Sequence, residues 1–218
     1  MRKIGLLPAS GSAKRLNGIP KFLLPIPGGT LLSRHIDQML EVCDEVRVST
    51  RKAWLPLLDS MDLPSRVKVY EIEPSTFYHA IHQMSDDGRL LIGMPDTYIS
   101  SENPYKAMLE SDGDVVLAGF NCPEELLGSV GQFLTDKDGN VSDLRDKEQG
   151  CAYPNMWGAM LLNAVQVDET LDTPSHQIMN WVAEGKLVKA VKCDGIYIDA
   201  GTFAGLKKLY SLGSFNEL

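Results

Sequence analysis

The chain has 218 residues, 44% hydrophobic and 23% charged, enough to bury most of its apolar surface without a disulfide or zinc staple. Its 21 basic and 29 acidic side chains give a net charge of −8 with no Lys/Arg run, so neither a nucleic-acid footprint nor attachment to an anionic membrane is expected. Cys43, Cys122, Cys151 and Cys193 are widely spaced and form no C-x-x-C pair, which reads as reduced thiols in a cytoplasmic protein.

After Met1-Arg2-Lys3 comes an apolar run from Ile4 to Ala9, too short for a signal h-region or a membrane span. Lys3–Pro8 is expected to be a buried strand, followed by a Gly/Ser-containing segment from Ser10 to Pro20. Thr30–Cys43 carries Leu32, Ile36, Met39 and Leu40 at helical spacing, with Thr30 as N-cap. A strand at Val46–Thr50, a short helix near Ala53–Leu58, a strand at Val67–Ile72, a helix at Thr76–Met84 and a strand at Leu90–Gly93 follow. This alternation implies right-handed crossovers and a mainly parallel sheet covered on both faces.

In the second half Asp114–Gly119 is strand-like, and Gln132–Leu144 reads as a hairpin turning at Asp136–Asn140. Met156–Leu162, Val188–Val191 and Ile196–Ile198 are further strands, while Ser175–Ala183 and Phe203–Leu212 are helical. No linker or repeat divides the chain, so one domain over residues 1–218 is expected: a three-layer, doubly wound α/β fold with a mixed, mainly parallel sheet.

Ligands of open α/β sheets sit outside the carboxyl ends of the strands, and three segments there carry chemistry. Pro8 to Leu16 reads PASGSAKRL and is closed by Pro20-Lys21. Its small residues admit a ligand to the backbone amides, and Lys14, Arg15 and Lys21 concentrate the positive charge that an acidic phosphate-binding protein needs. Read alone, it is equally a solvated loop with surface cations. It is neither a P-loop nor a dinucleotide fingerprint. Asp96, just past the strand at Leu90–Gly93, reads by itself as a cap of the next turn rather than a cation ligand. Asp199, in Gly195 to Phe203 (GIYIDAGTF), suits an N-cap equally well.

Together these segments resemble the sugar-phosphate nucleotidylyltransferase family. The carriers are P-A-x-G-x-x-x-R-L, the P-K that opens an apolar stretch, the Asp96 strand exit and the D-A-G-T before a final helix. Ser10 and Ala13 depart from the family's usual Ala and second Gly, and Tyr197 replaces its common Trp. The resemblance implies a nucleotide-diphospho-sugar transferase-like fold and a nucleotidyltransferase joining the NMP part of an NTP to a sugar 1-phosphate. It makes Pro8, Ala9, Ser10, Gly11 and Ser12 the triphosphate cradle, Arg15 and Lys21 the phosphate cations, and Asp96 and Asp199 ligands of one Mg²⁺. Glu71 and Thr76 fall in the base-recognition region, although the usual Gly is missing there.

Phe133 to Lys147 resembles the family's strand–turn–strand leading into E-K-P, so Lys147, beside Asp146, would meet the acceptor phosphate. Trp157 and Gly158 match its strand entry into the sugar pocket; Trp157 either stacks on substrate or joins the core. The match ends near the last helix, so no C-terminal repeat domain is expected. The partners implied are an NTP and a small phosphorylated acceptor, with homo-oligomer formation left open. Two other readings stay open: a cytidylyltransferase for a polyol phosphate, choline phosphate or sugar acid, and a non-catalytic nucleotide- or sugar-phosphate-binding module.

Overall fold

Strand β1 (Lys3–Pro8) has four consecutive buried residues, the pattern of a strand covered on both faces. The computed structural model describes residues 1–11, 13, 16–73, 76–100, 103–163, 167–171 and 173–212. A small ladder, β2 (Pro25–Ile26) with β3 (Gly29–Thr30), leads into helix α1 (Leu31–Leu40). Thr30 begins α1 as expected: its hydroxyl accepts from the Ser33 amide at 3.1 Å, and Ser33 Oγ accepts from the Thr30 amide at 2.8 Å. Next come β4 (Glu45–Thr50), α2 (Leu55–Asp59), β5 (Val67–Glu71), α3 (Phe77–Met84), β6 (Arg89–Gly93), β7 (Thr97–Ile99) and α4 (Pro104–Leu109). The second half contributes β8 (Val115–Asn121), β9 (Gly131–Thr135), β10 (Val141–Asp146), β11 (Asn155–Asn163), α5 (Pro174–Ala183), β12 (Val188–Lys192), β13 (Tyr197–Asp199) and α6 (Phe203–Tyr210).

The main sheet runs β10-β9-β11-β6-β1-β4-β5, with β8 paired to β11 and β12. Strands β6, β1, β4 and β5 are mutually parallel, and β11 lies antiparallel to β6. Alternate strand residues face opposite layers. On β8, Val116, Ala118 and Phe120 join α1 and α4 through Ile36, Met39, Tyr105 and Met108. Val115 and Leu117 instead pack with Tyr78 and Ile81 of α3 and Ile178 and Trp181 of α5. The expected three-layer α/β architecture is therefore present. Among the described residues no helix is long and apolar enough to cross a membrane.

Two features position the site. The chain steps outward from β1 to β4 and β5, then returns to β6 on the other side of β1, which opens a crevice beyond the carboxyl ends of β1 and β6. Outside the main sheet, β13 pairs antiparallel with β7, setting Asp199 opposite Thr97. The segment around Ile196–Ile198 is thus a strand, but its partner is the three-residue β7, too short to leave a periodic signal.

His35 of α1 is 1% exposed. Its Nδ1 lies 2.7 Å from Tyr105 Oη and its Nε2 3.0 Å from the Thr97 carbonyl oxygen. Burial lowers its pKa from 6.5 to about 4; the bond to Thr97 opposes that shift and the Arg34 charge adds to it. In the unfolded chain the imidazole takes up its proton near pH 6.5, whereas the folded protein keeps it neutral down to about 4. This contribution is complete above pH 6.5 and is lost as the pH falls to 4, an expected loss of about 3 kcal/mol. Urea midpoints at pH about 7 and about 4.5 test this against His35→Gln, which should show a shallower acid loss; equal slopes would remove His35 as its source.

Candidate active site

Beyond β1 and β6 lie two clefts that share one wall. The smaller, ≈ 150 Å³, is bordered by Pro8, Ala9 and Gly11 at the exit of β1, by Lys21, and by Met94 and Asp96 at the exit of β6. Its sides are the partly exposed rings of Trp54, after β4, and Phe77, at the start of α3. The larger, ≈ 510 Å³, also touches Met94 and Asp96 and includes Asp199, Lys147, Trp157 and Tyr197.

At the shared wall three predicted residues converge. Lys21 Nζ lies 3.6 Å from Asp96 Oδ2. A β-carbon built on Gly201 would stand 2.7 Å from Asp199 Oδ1, 2.8 Å from Lys21 Nζ and 3.3 Å from Asp96 Oδ2. Both carboxylates and the ammonium thus surround one point that only glycine leaves free. The backbone secures them, since the Gly201 amide donates to Asp199 Oδ1 at 2.7 Å and the Ala200 amide to the Asp96 carbonyl at 3.1 Å. The Thr97 amide and hydroxyl both donate to the Met94 carbonyl, at 3.0 and 2.7 Å, closing the turn that carries Asp96.

Two carboxylates suit Mg²⁺, which takes one or two protein carboxylates and completes its shell with phosphate oxygens and water. Among the described residues no three His, Cys, Asp or Glu side chains gather as an all-protein cage; a cation held by Asp96 and Asp199 would leave the rest of its shell to water and ligand oxygens.

The loop after β1 holds a further finding. Ala13, where the resembled family has glycine, adopts φ 50°, the left-handed conformation that glycine favours and alanine takes at a cost of about 1 kcal/mol. Its carbonyl accepts from the Leu16 and Gly18 amides, both at 3.1 Å. Ala13 thus holds a left-handed φ without being glycine. Ser12 and Arg15 lie outside the described residues.

Not every predicted residue faces a cleft. Ser10 is 1% exposed and its hydroxyl meets that of Ser49 at 3.1 Å, tying the loop to the end of β4. Glu71 is exposed at the end of β5, and Thr76 caps α3, accepting from the His79 amide at 2.9 Å and donating to the Glu169 carbonyl at 2.6 Å. Neither borders the smaller cleft; the aromatic rings of Trp54 and Phe77 stand there instead. Gly158 sits at a register shift in β11, and a β-carbon on it would come within 2.5 Å of the Tyr197 ring. It makes room for Tyr197, which does line the larger cleft.

Lys147 borders the larger cleft with φ 52°, a strained conformation for a non-glycine residue and one concentrated at functional sites. Trp157 lines the same cleft while its buried indole nitrogen makes no hydrogen bond. Burial holds the Tyr197 hydroxyl well above the usual phenol range, reinforced by the Asp199 and Asp96 carboxylates, so it stays a donor at neutral pH. Lys208 of α6, also on this cleft, pairs with Glu125 at 2.9 Å. Sequence reasoning passed over Trp54, Phe77 and Lys208; the available signal was a large aromatic just past each of two strand exits.

Residues 5–122 match the profile of the MobA-like NTP transferase domain. The chain belongs to this family. It is a nucleotidyltransferase of the NTP transferase group, and the matched span includes the β1 loop, Lys21 and Asp96. Solved structures extend the likeness to the rest of the fold. A putative glucose-1-phosphate thymidylyltransferase from Bacillus anthracis is 15% identical with a TM-score of 0.81, over 97% of this chain and 95% of that one. A UDP-glucose pyrophosphorylase complexed with UDP-glucose gives 15% and 0.81 over 100% of both chains. HddC from Yersinia pseudotuberculosis gives 19% and 0.70 over 96% and 98%. At these identities the likeness speaks to the fold. No curated protein sequence matches the chain significantly.

Proposed function

We propose that this transferase joins the nucleoside monophosphate of an NTP to a sugar 1-phosphate, with Mg²⁺, releasing pyrophosphate. The observation that carries this reading is Asp96, common to both clefts and converging with Asp199 and Lys21. The NTP occupies the smaller cleft, its base between Trp54 and Phe77 and its phosphates past Gly11 and Ala13 toward Lys21. The acceptor occupies the larger cleft, its phosphate drawn by Lys147 and its body beside Trp157 and Tyr197. The solved relative bound to UDP-glucose supports a sugar nucleotide as product.

An acceptor phosphate oxygen attacks the α-phosphorus in line, the bond to the β-phosphate oxygen breaks, and pyrophosphate leaves with that electron pair. An ionised acceptor needs no general base, so the residues contribute positioning and charge neutralisation. Lys21 offsets charge on the α-phosphate and leaving group, as does Arg15 by resemblance. Asp96 and Asp199 would hold Mg²⁺, whose role when bound is to neutralise and align phosphate oxygens.

A panel of four NTPs against sugar 1-phosphates, a polyol phosphate, choline phosphate and a sugar acid, read by pyrophosphate release, tests the reading. One NTP with a sugar 1-phosphate should be preferred, and Phe77→Ala should raise the KM for that NTP about 10-fold without altering the acceptor KM. Release only with another acceptor would move the substrate assignment. NTP binding without pyrophosphate across the whole panel would favour a non-catalytic module.

A further inference from the structure

Helix α1 presents two consecutive polar residues to a single short strand. Arg34 Nε donates to the Ile99 carbonyl at 2.8 Å and its guanidinium lies 5.1 Å from the Tyr98 ring centre, while His35 Nε2 reaches the Thr97 carbonyl at 3.0 Å. All three residues of β7 are therefore gripped from α1. That strand begins immediately after Asp96, and its pairing with β13 sets Asp199 opposite Thr97. His35 also acts on the other side of the Asp96 turn. Its Nδ1 partner, Tyr105 Oη, occupies the space that a side chain on Gly93 would need.

The bonds define the imidazole's state. Nε2 carries the proton because it faces a carbonyl oxygen, so Nδ1 accepts from the Tyr105 hydroxyl. A well-packed apolar side chain at a buried site is often as stabilising as a polar one. Both bonds of His35 leave its own helix, one ending on Thr97, the residue after Asp96, and the other on a hydroxyl set against Gly93, three residues before it, which points beyond packing.

We infer that His35, assisted by Arg34, is a positioning residue that sets the Asp96 turn and, through the β7–β13 ladder, Asp199 for joint cation binding. It touches no substrate and acts through the Thr97 backbone. This rests on the proposed metal-assisted transfer.

The test uses Mn²⁺ alone as probe, with binding followed by electron paramagnetic resonance, beside Tm and pyrophosphate release. His35→Leu keeps bulk and removes both bonds; it should weaken Mn²⁺ binding and lower kcat, each about 10-fold, at an unchanged acceptor KM. His35→Gln, whose side-chain amide can still donate to the Thr97 carbonyl, should recover most of both losses. Tyr105→Phe removes one hydroxyl and should weaken Mn²⁺ binding in the same direction, which keeps the test open if His35→Leu does not fold. A lowered Tm with the Mn²⁺ dissociation constant within about twofold of wild type in His35→Leu or Tyr105→Phe would overturn the inference while leaving the transfer reaction intact. A wild-type protein that neither binds Mn²⁺ nor releases pyrophosphate would instead remove the functional reading beneath it.

Discussion

Lys21→Ala is expected to lower the rate of pyrophosphate release by about 10²–10³-fold while the far-UV spectrum and Tm stay close to wild type. The ammonium stands 3.6 Å from Asp96 Oδ2 with its side chain 11% exposed, on the smaller cleft beside the Asp96 that both clefts share. It is carried on a short 3-10 turn, Lys21–Leu23, whose anchor is the buried Phe22, so losing the charged end leaves that anchor in place. Lys21→Arg is not expected to rescue, because a planar fork does not fit the space of a compact ammonium. Asp199→Ala should cost a similar factor, and the double variant should lose far less than the product of the two, as groups acting on the same charge do. Single-turnover rates within about tenfold of wild type for Lys21→Ala would end the assignment.

Gly201→Ala is the second large effect. Its methyl would fall 2.7 Å from Asp199 Oδ1 and 2.8 Å from Lys21 Nζ, closer than carbon approaches either atom. The Asp199 oxygen cannot retreat without giving up the 2.7 Å bond from the Gly201 amide, so the added carbon displaces either the carboxylate or the ammonium. Misplacing reacting groups by about 1 Å costs on the order of 10²-fold in rate, and overpacking adds about 1–3 kcal/mol of destabilisation. The check is kcat beside the urea midpoint. An unchanged kcat would mean that the three groups do not act together at this point.

Much of the framework was legible before any coordinates. The unbroken apolar run of β1, the 3.6-residue spacing in α1 and the Thr30 cap are local features, governed by a residue and its near neighbours, and they appear within a few residues of where the pattern puts them. The same holds for the hairpin turning at Asp136–Asn140. The elements that escaped notice, β7, α4 and the β2–β3 ladder, span between two and six residues, shorter than a reliable period. At the site, Lys21, Asp96 and Asp199 could be named only through the resemblance of their segments to a known family, since each read alone suits a surface cation or a cap. Ser10, Glu71 and Gly158 were named from position alone, and their side chains or neighbours turn out to serve packing or solvent.

Sequence alone was enough for the layered α/β plan, through short-range periodicity, and for the net acidity, through composition; the charged groups of the site were named through the family resemblance. Only tertiary structure decided that Asp199 meets Asp96 through a three-residue ladder, that Gly201 leaves the point between them free, and that Ala13 holds a left-handed φ. These depend on distances between segments remote along the chain, set by how helices and strands pack, and no local pattern encodes them.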